Sequence, residues 1–500
     1  MGQIRKQTIQ SSFLSYVGFL LGAINTYFFT KKGLFTPEQY GLTQTITSMA
    51  QVFAALGTFG VTAFMGRFYP WYQQNLPKKE NDMLGVVLIF TAIGATLVLS
   101  GSLILEPIVV RKFSARSTML VQYYYWTLVF GVSLLCFMVL ETYFATLRRT
   151  VLPNFLKETI YRSCVSILII LYAFQVISFN TFVILFTSIY FLIVIVMVIF
   201  LAVKGELLIS FRISKISRRI RKPALIYGAF VYSGVAINAI AKQIDTLALA
   251  SVRSLGDAGI YTLNQFAAAV IQVPFRALQA IAAPMIALHW KNKNISEINR
   301  IYKRASINML LISSLIFQLI WFNYEDGLTL LNLNQQFATG KIVFLILGIY
   351  NIIELTVGIS SQVINTSPAW RFEFYSGLLL LFASIPLKIF TARWNGMTGV
   401  ALATLITFSL YNLIRVLFVK KRFGLWPFTI KTVYALALIL IVYGIVWVLT
   451  AHWHGVLAIF VRTILITALY LGGTLVFRIT PDLPQVLDLL LKKTGLKKTN

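Results

Sequence analysis

Histidine and cysteine are nearly missing from this sequence, three and two in 500 residues, and acidic side chains number only 16. So few imidazoles and thiols leave neither a disulfide framework nor a set of metal ligands. Cys136 and Cys164 both fall inside apolar stretches, where a thiol acts as a small hydrophobe. The scarcity of acids also argues against an enzyme: connections between apolar runs reach only about twenty residues, and their one carboxylate pair, Glu325-Asp326, reads as an ordinary solvated pair. His452-Trp453-His454 has no further ligand nearby and reads as an interfacial aromatic cluster. No catalytic residue, metal or cofactor is expected.

Apolar residues, by contrast, make up 58% of the chain and charged ones only 12%. That is more apolar surface than a soluble core absorbs, so the chain reads as an integral membrane protein. The 44 lysines and arginines give a formal charge of +28. They sit mostly in short connections between apolar runs, the mark of membrane topology and anionic lipid contact and not of a nucleic-acid groove. Arg5 and Lys6 precede an apolar run with no small-residue cleavage site, which predicts a retained first helix.

At about 20 residues per crossing, spans fall near 10–30, 41–66, 84–105, 121–146, 153–175 and 180–203. Eight more follow near 224–252, 258–288, 305–322, 341–364, 373–391, 397–419, 432–451 and 455–477. The expected fold is all-α, with about fourteen transmembrane helices in two pseudo-symmetric six-helix lobes plus two C-terminal helices. The expected divisions are 1–203 for the first lobe, 204–223 for a basic amphipathic cytoplasmic linker and 224–419 for the second lobe. Residues 420–478 then supply the two extra helices and 479–500 a basic cytoplasmic tail.

Clusters at Arg148-Arg149, 204–222, 291–304, Lys420-Lys421-Arg422 and 492–498 would all face the cytoplasm, with both termini; Arg111, Lys112 and Arg116 are the main exception. Ile209, Ile213, Ile216 and Ile220 recur at helical spacing among Arg212, Lys215, Arg218 and Arg219, a pattern for a helix lying in the inner interface. The tail from Pro484, with Val486, Leu487, Leu490 and Leu491 ahead of lysines, reads the same way. Both would touch anionic lipid.

Two adjacent spans, 224–252 and 258–287, carry Lys242, Asp245 and Arg276, the last beside Pro274. Ionisable groups are costly at membrane depth, so three together predict a polar cavity. Glu38-Gln39-Tyr40-Gly41-Leu42 and Gly256-Asp257-Ala258-Gly259-Ile260 each follow the first span of a half, a short internal repeat. Halves of six spans share one orientation, as in parallel-repeat transporters, with a substrate site between them.

Gly22, Asn25, Phe35-Thr36-Pro37-Glu38-Gln39-Tyr40-Gly41, Leu56-Gly57 and Gly66-Arg67-Phe68-Tyr69-Pro70 together resemble the opening of oligosaccharide flippases. Ile244-Asp245-Thr246-Leu247-Ala248-Leu249, Leu255 to Tyr261, Val273-Pro274 and Ala283-Pro284 resemble the matching part of their second half. These are polysaccharide transport proteins of the superfamily that also holds multidrug and toxin extrusion transporters and lipid II flippases. The resemblance implies a flippase moving undecaprenyl-diphosphate-linked oligosaccharide across the bacterial cytoplasmic membrane by alternating access, for O-antigen, capsule or exopolysaccharide assembly. Polysaccharide polymerase machinery is an implied partner. Lipid II carriers usually bear arginines in their first two helices; here the first span has none and Arg67 ends the second.

For such a substrate Lys242 and Arg276 are the candidate diphosphate ligands, since a cation in a low-dielectric cavity attracts a diphosphate strongly. Lys242 can instead pair with Asp245, and Arg276 can snorkel or pair across the bundle. Glu141, Asp245 and Glu354 are candidates for coupling to a proton or Na⁺, with an ion pair to Arg276 or Lys242 the alternative for Glu354. Gln44, Gln51, Asn238 and Gln243 can meet sugar hydroxyls or bind helix to helix, as can Thr43, Thr45, Thr47 and Ser48. Arg67 and Arg415 read as snorkelling, Arg162 and Lys157 as local partners of Glu158, and Arg462 as lining a groove for a lipid tail. Two other classes remain: a cation-coupled multidrug exporter of the same fold, which predicts acids dominating the cavity, and a membrane glycosyltransferase or polymerase, which needs a larger extramembrane site.

Overall fold

The computed structural model describes residues 2–77, 80–207, 209–482 and 484, with side chains from residue 14 onward apart from residue 230. The tail proposed as a lipid-contacting helix lies almost wholly outside the described residues. These are helical and include no strand. They form two compact units, Met1–Gly259 and Ile260–Asn500.

The first unit opens with α1 (Gly2–Thr30), α2 (Pro37–Gly57), α3 (Val61–Asn75) and α4 (Met83–Ile104). Short α5 (Glu106–Phe113) and α6 (Thr118–Gln122) lead to α7 (Tyr124–Thr146), α8 (Val151–Phe155), α9 (Tyr161–Ala173) and α10 (Phe179–Val203). It closes with α11 (Lys215–Val252) and the first turn of α12 (Leu255–Ala269). The second unit continues through α13 (Val273–Lys291), α14 (Ile295–Phe322), α15 (Tyr324–Leu330), α16 (Lys341–Val357) and α17 (Ile359–Asn365). It ends with α18 (Trp370–Phe423), α19 (Ile430–Thr450) and α20 (Val456–Val476).

Ten of the described helices are long and apolar enough to cross a membrane, eleven if the bent pair α2 and α3 is one span. The difference from fourteen lies in three places. The apolar part of α1, Leu14–Thr30, is too short to enter that count, and the stretch 151–173 is broken by a π-helical segment, Leu156–Ile160. The third is α18, where Asn395 and Gly396 leave helical geometry inside one 54-residue element, so the expected spans 373–391 and 397–419 join across a kink. Apolar side chains stay exposed along α10, α19 and α20, among them Leu192, Ile199, Leu440, Val448, Leu457 and Phe460. Water would not tolerate that belt; hydrocarbon does, because the helices satisfy their own backbone groups.

Local signals set the helix starts. Thr36 and Gln39 form a reciprocal capping box at α2, with Pro37 in its first turn. Gly60, at φ +81°, ends that run and lets α3 leave at 44°. In the first unit α2 packs on α7 and α11, and α7 on α10. Gly41 and Gly259, the matching glycines of the internal repeat, meet there: a Cβ on Gly259 would lie 2.9 Å from Gly41 N, and one on Gly41 1.7 Å from Leu255 O. In the second unit α14 packs on α16 and α19, with Leu310, Leu311, Leu438, Val442 and Ile466 in its core.

Residues 209–214 are not helical, contrary to the expected interfacial helix over 209–220; α11 begins only at Lys215. Ser214 caps it, accepting from Ser217 N at 3.1 Å. The fully buried Asp82 accepts from Ser214 N at 2.8 Å and Ser217 Oγ at 2.7 Å, and Tyr72 adds a 2.6 Å hydroxyl contact to Ser217. This clamp fixes the start of a helix that then runs unbroken to Val252, through Pro223.

Candidate functional site

Polar groups inside the helices fall into neutral clusters, an under-compensated one and exposed cations. In the first unit Arg162 and Glu158 on one face of the fifth span pair at 2.9 Å, as i,i+4 spacing leads one to expect. They fit against α1 because Gly22 is bare: a Cβ there would lie 1.9 Å from Arg162 Nη1. Asn25 seals the contact, donating to Arg162 O at 2.9 Å and accepting from Ser166 at 2.6 Å. Lys157 turns the other way and meets Glu141 at 3.4 Å, so Glu141 has a cationic partner of its own.

Further along, Gln51 and Gln243 bond each other at 2.5 Å. Asn238 is exposed and donates back to Gly234 O, and Gln44 is half-buried. Thr43, Thr45 and Thr47 each bond a carbonyl of their own helix, so they do not tie helices together. The expected pair of Lys242 with Asp245 is not formed. Lys242 is exposed and Asp245 buried; three residues leave side chains about 60° apart around a helix, enough at the margin of a buried face to divide them. Arg276, on α13 of the second unit, is exposed as well, and neither cation makes an ion pair among the described residues.

The second unit holds the under-compensated cluster, where the end of α16 meets both limbs of α18. Arg415 is mostly enclosed, stacked on the Tyr411 ring at 3.9 Å, and is not a snorkelling side chain. Its guanidinium forks onto Glu373, with Nε at 3.2 Å from Oε2 and Nη2 bonded to Oε1, and lies 3.8 Å from Glu354. Asn412 donates to Glu354 at 2.6 Å and Ser361 to Glu373 at 2.8 Å. Glu354 thus faces Arg415, not Lys242 or Arg276. Two carboxylates share one guanidinium, a net charge of −1 with both acids mostly enclosed.

Arg462 corrects another expectation, since it lines no tail groove. It is buried between α15 and the turn after α19, bonding Asp326 at 2.6 Å and the carbonyls of Phe322, Thr450 and Trp453 at 2.9, 3.1 and 2.5 Å. Burial pushes the Asp326 carboxyl up, but the Gly455 N–H and Arg462 outweigh it and hold the group below the usual carboxylate range. His454 lies 3.8 Å from the same carboxylate, and no cluster of His, Cys, Asp and Glu among the described residues suits a metal. Arg67 is exposed and stacks on Tyr227 at 4.2 Å.

Glu373 and Asn412 escaped the sequence reading because Glu373 stands at the very start of the expected span 373–391 and its partner is 42 residues away. Lys388 escaped too. It is 3% exposed inside α18, 5.8 Å from the Phe408 ring, and a lysine within an apolar span was signal enough.

No family model and no curated protein matches the chain. Its fold does match solved structures. The lipid II flippase MurJ in an inward closed conformation aligns with a TM-score of 0.71 at 14% identity, covering 94% of this chain and 98% of that one. An inward-facing multidrug resistance MATE family transporter of the MOP superfamily gives 0.63 at 14% identity, over 81% and 94%. A variant of a Vibrio cholerae MATE transporter gives 0.51 at 16%, over 84% and 98%. The likeness is one of fold: an all-helical, multi-pass membrane architecture.

Proposed function

We propose that this chain is a flippase for a polyprenyl-diphosphate-linked oligosaccharide, working by alternating access in a bacterial cytoplasmic membrane with both termini inside. The observation that carries the reading is one of extent. The flippase fold accounts for 94% of the chain, whereas the two MATE structures align over nearly all of themselves and leave 16–19% of this chain unmatched. Lys242 and Arg276 support it further, as exposed cations that no carboxylate among the described residues pairs with, each available to a phosphate. Gln51 and Gln243 would exchange their mutual bond for sugar hydroxyls.

In this reading the Glu354, Glu373 and Arg415 cluster couples the cycle to a cation. Glu354 is the acceptor, since Glu373 already holds the forked guanidinium. The same acid excess favours a second reading, a cation-coupled drug exporter of this fold. Deleting the gene and extracting membrane lipids separates the two. Accumulation of a polyprenyl-diphosphate oligosaccharide with loss of surface polymer, reversed by wild type but not by Lys242→Ala with Arg276→Ala at equal expression, supports the flippase. Unchanged lipids with altered sensitivity to cationic drugs overturn it in favour of the exporter.

A further inference from the structure

At one end of the second unit, a hollow of about 540 Å³ opens among the first turns of α14, the first turn of α19 and the segment after α20. Arg300, Lys303, Arg304 and Lys431 line it, and Ile307 and Ile479, both buried, form its floor. Two of the four cations are already neutralised: Arg300 by Glu297 at 3.3 Å, and Arg304 by a fork onto Asp482, with Nε at 2.9 Å. Lys303 makes no ion pair among the described residues, and Lys431 donates only to the Arg478 carbonyl at 2.9 Å. Among the described residues, the hollow therefore carries two positive charges without counter-charge.

We infer that this hollow binds the headgroup of an anionic glycerophospholipid, of the phosphatidylglycerol type, one molecule per chain, separately from any transported substrate. Four features favour that occupant. Lys303 and Lys431 supply compact ammonium groups for a phosphate. The half-buried Asn299 also lines the hollow, and its amide N–H can donate to a phosphate or headgroup oxygen. Tyr434 and Ile441 stay exposed along α19, three and ten residues on from Lys431 and so on the side that flanks it, which gives an acyl chain an apolar strip to lie on beside the phosphate. A free phosphate would use none of that stripe. Finally, the hollow lies beside the Arg300 to Arg304 basic cluster, which places it at the cytoplasmic headgroup level, where anionic lipid gathers.

The test is native mass spectrometry of the full chain in detergent, titrated with dioleoyl phosphatidylglycerol, dioleoyl phosphatidylcholine or inorganic phosphate. One phosphatidylglycerol adduct is expected, with an affinity at least about tenfold above that for phosphatidylcholine. Lys303→Gln with Lys431→Gln should lower the first affinity about tenfold or more and leave the second alone. Lys303→Arg with Lys431→Arg should retain it. Arg219→Gln with Lys222→Gln, equal in charge but on α11, should also retain it. Unchanged phosphatidylglycerol binding in the double glutamine variant at an unchanged melting temperature overturns the site. So does equal loss in the α11 variant, which marks a diffuse surface effect, or displacement of the lipid by millimolar phosphate, which marks a free-anion site. Should the double glutamine variant unfold, the Asn299→Leu variant takes its place, and unweakened binding in it overturns the assignment. None of these outcomes depends on what the chain transports.

Discussion

Arg415 and Arg462 are both largely enclosed arginines of the second unit, and their surroundings differ in one respect. Arg462 has a single carboxylate and three carbonyls, so its charge is balanced and its donors are used. Arg415 sits between two carboxylates and leaves one negative charge over. Arg462 is complete as it stands, whereas the Arg415 cluster keeps one carboxylate in excess.

The comparison breaks first on Arg462. Arg462→Leu strands Asp326 and three carbonyls and should cost about 3–5 kcal/mol, seen as a large drop in melting temperature of the purified protein and in the folded yield. Arg462→Lys should recover only part, since one ammonium cannot serve the same fork. Glu354→Gln should do the reverse: melting temperature held or raised, transport down about tenfold and no longer responsive to an imposed proton or Na⁺ gradient in proteoliposomes. A large stability loss there would make the cluster an anchor like the other. Lys242→Ala with Arg276→Ala, both exposed, should leave melting unchanged within about 0.5 kcal/mol while raising the half-saturating lipid concentration about tenfold.

The smallest effect is one of pH. Because the Asp326 carboxyl is depressed in the folded chain, its contribution to stability is complete above the unfolded value of about 3.9 and disappears as pH falls through the folded one. Melting curves of wild type and Asp326→Asn should therefore differ at neutral pH and converge in acid below about pH 4. A difference that persists there would assign the stabilisation to packing.

Long apolar runs made the helices readable, because at this composition each span must be apolar on its own account. The Glu158 to Arg162 pair was readable too, since i,i+4 neighbours on a helix have little choice of partner. Arg415 was not: Glu373 reaches it across 42 residues, through a kink at Asn395 and Gly396 that a hydropathy pattern reads as a gap between spans. Asp82 went unremarked for a similar reason, as its task is to cap a helix that begins in another connection. Sequence spacing shows which groups share a face; it does not show which distant face comes opposite.

Pinned at its base by Asp82, α11 is a strut. Its 38 residues span about 57 Å, nearly twice the hydrocarbon thickness of about 30 Å. Pro223, two turns above the clamp, removes one rung of the backbone ladder and sets the compliant point close to the fixed end. Leverage follows from that placement: a tilt of about 5° at Pro223 carries Val252, on the order of 44 Å away, through about 4 Å. The hydrogen bonds between Asp82 and the serines hold the fixed end of that lever, and Asp82→Ala would loosen its anchorage.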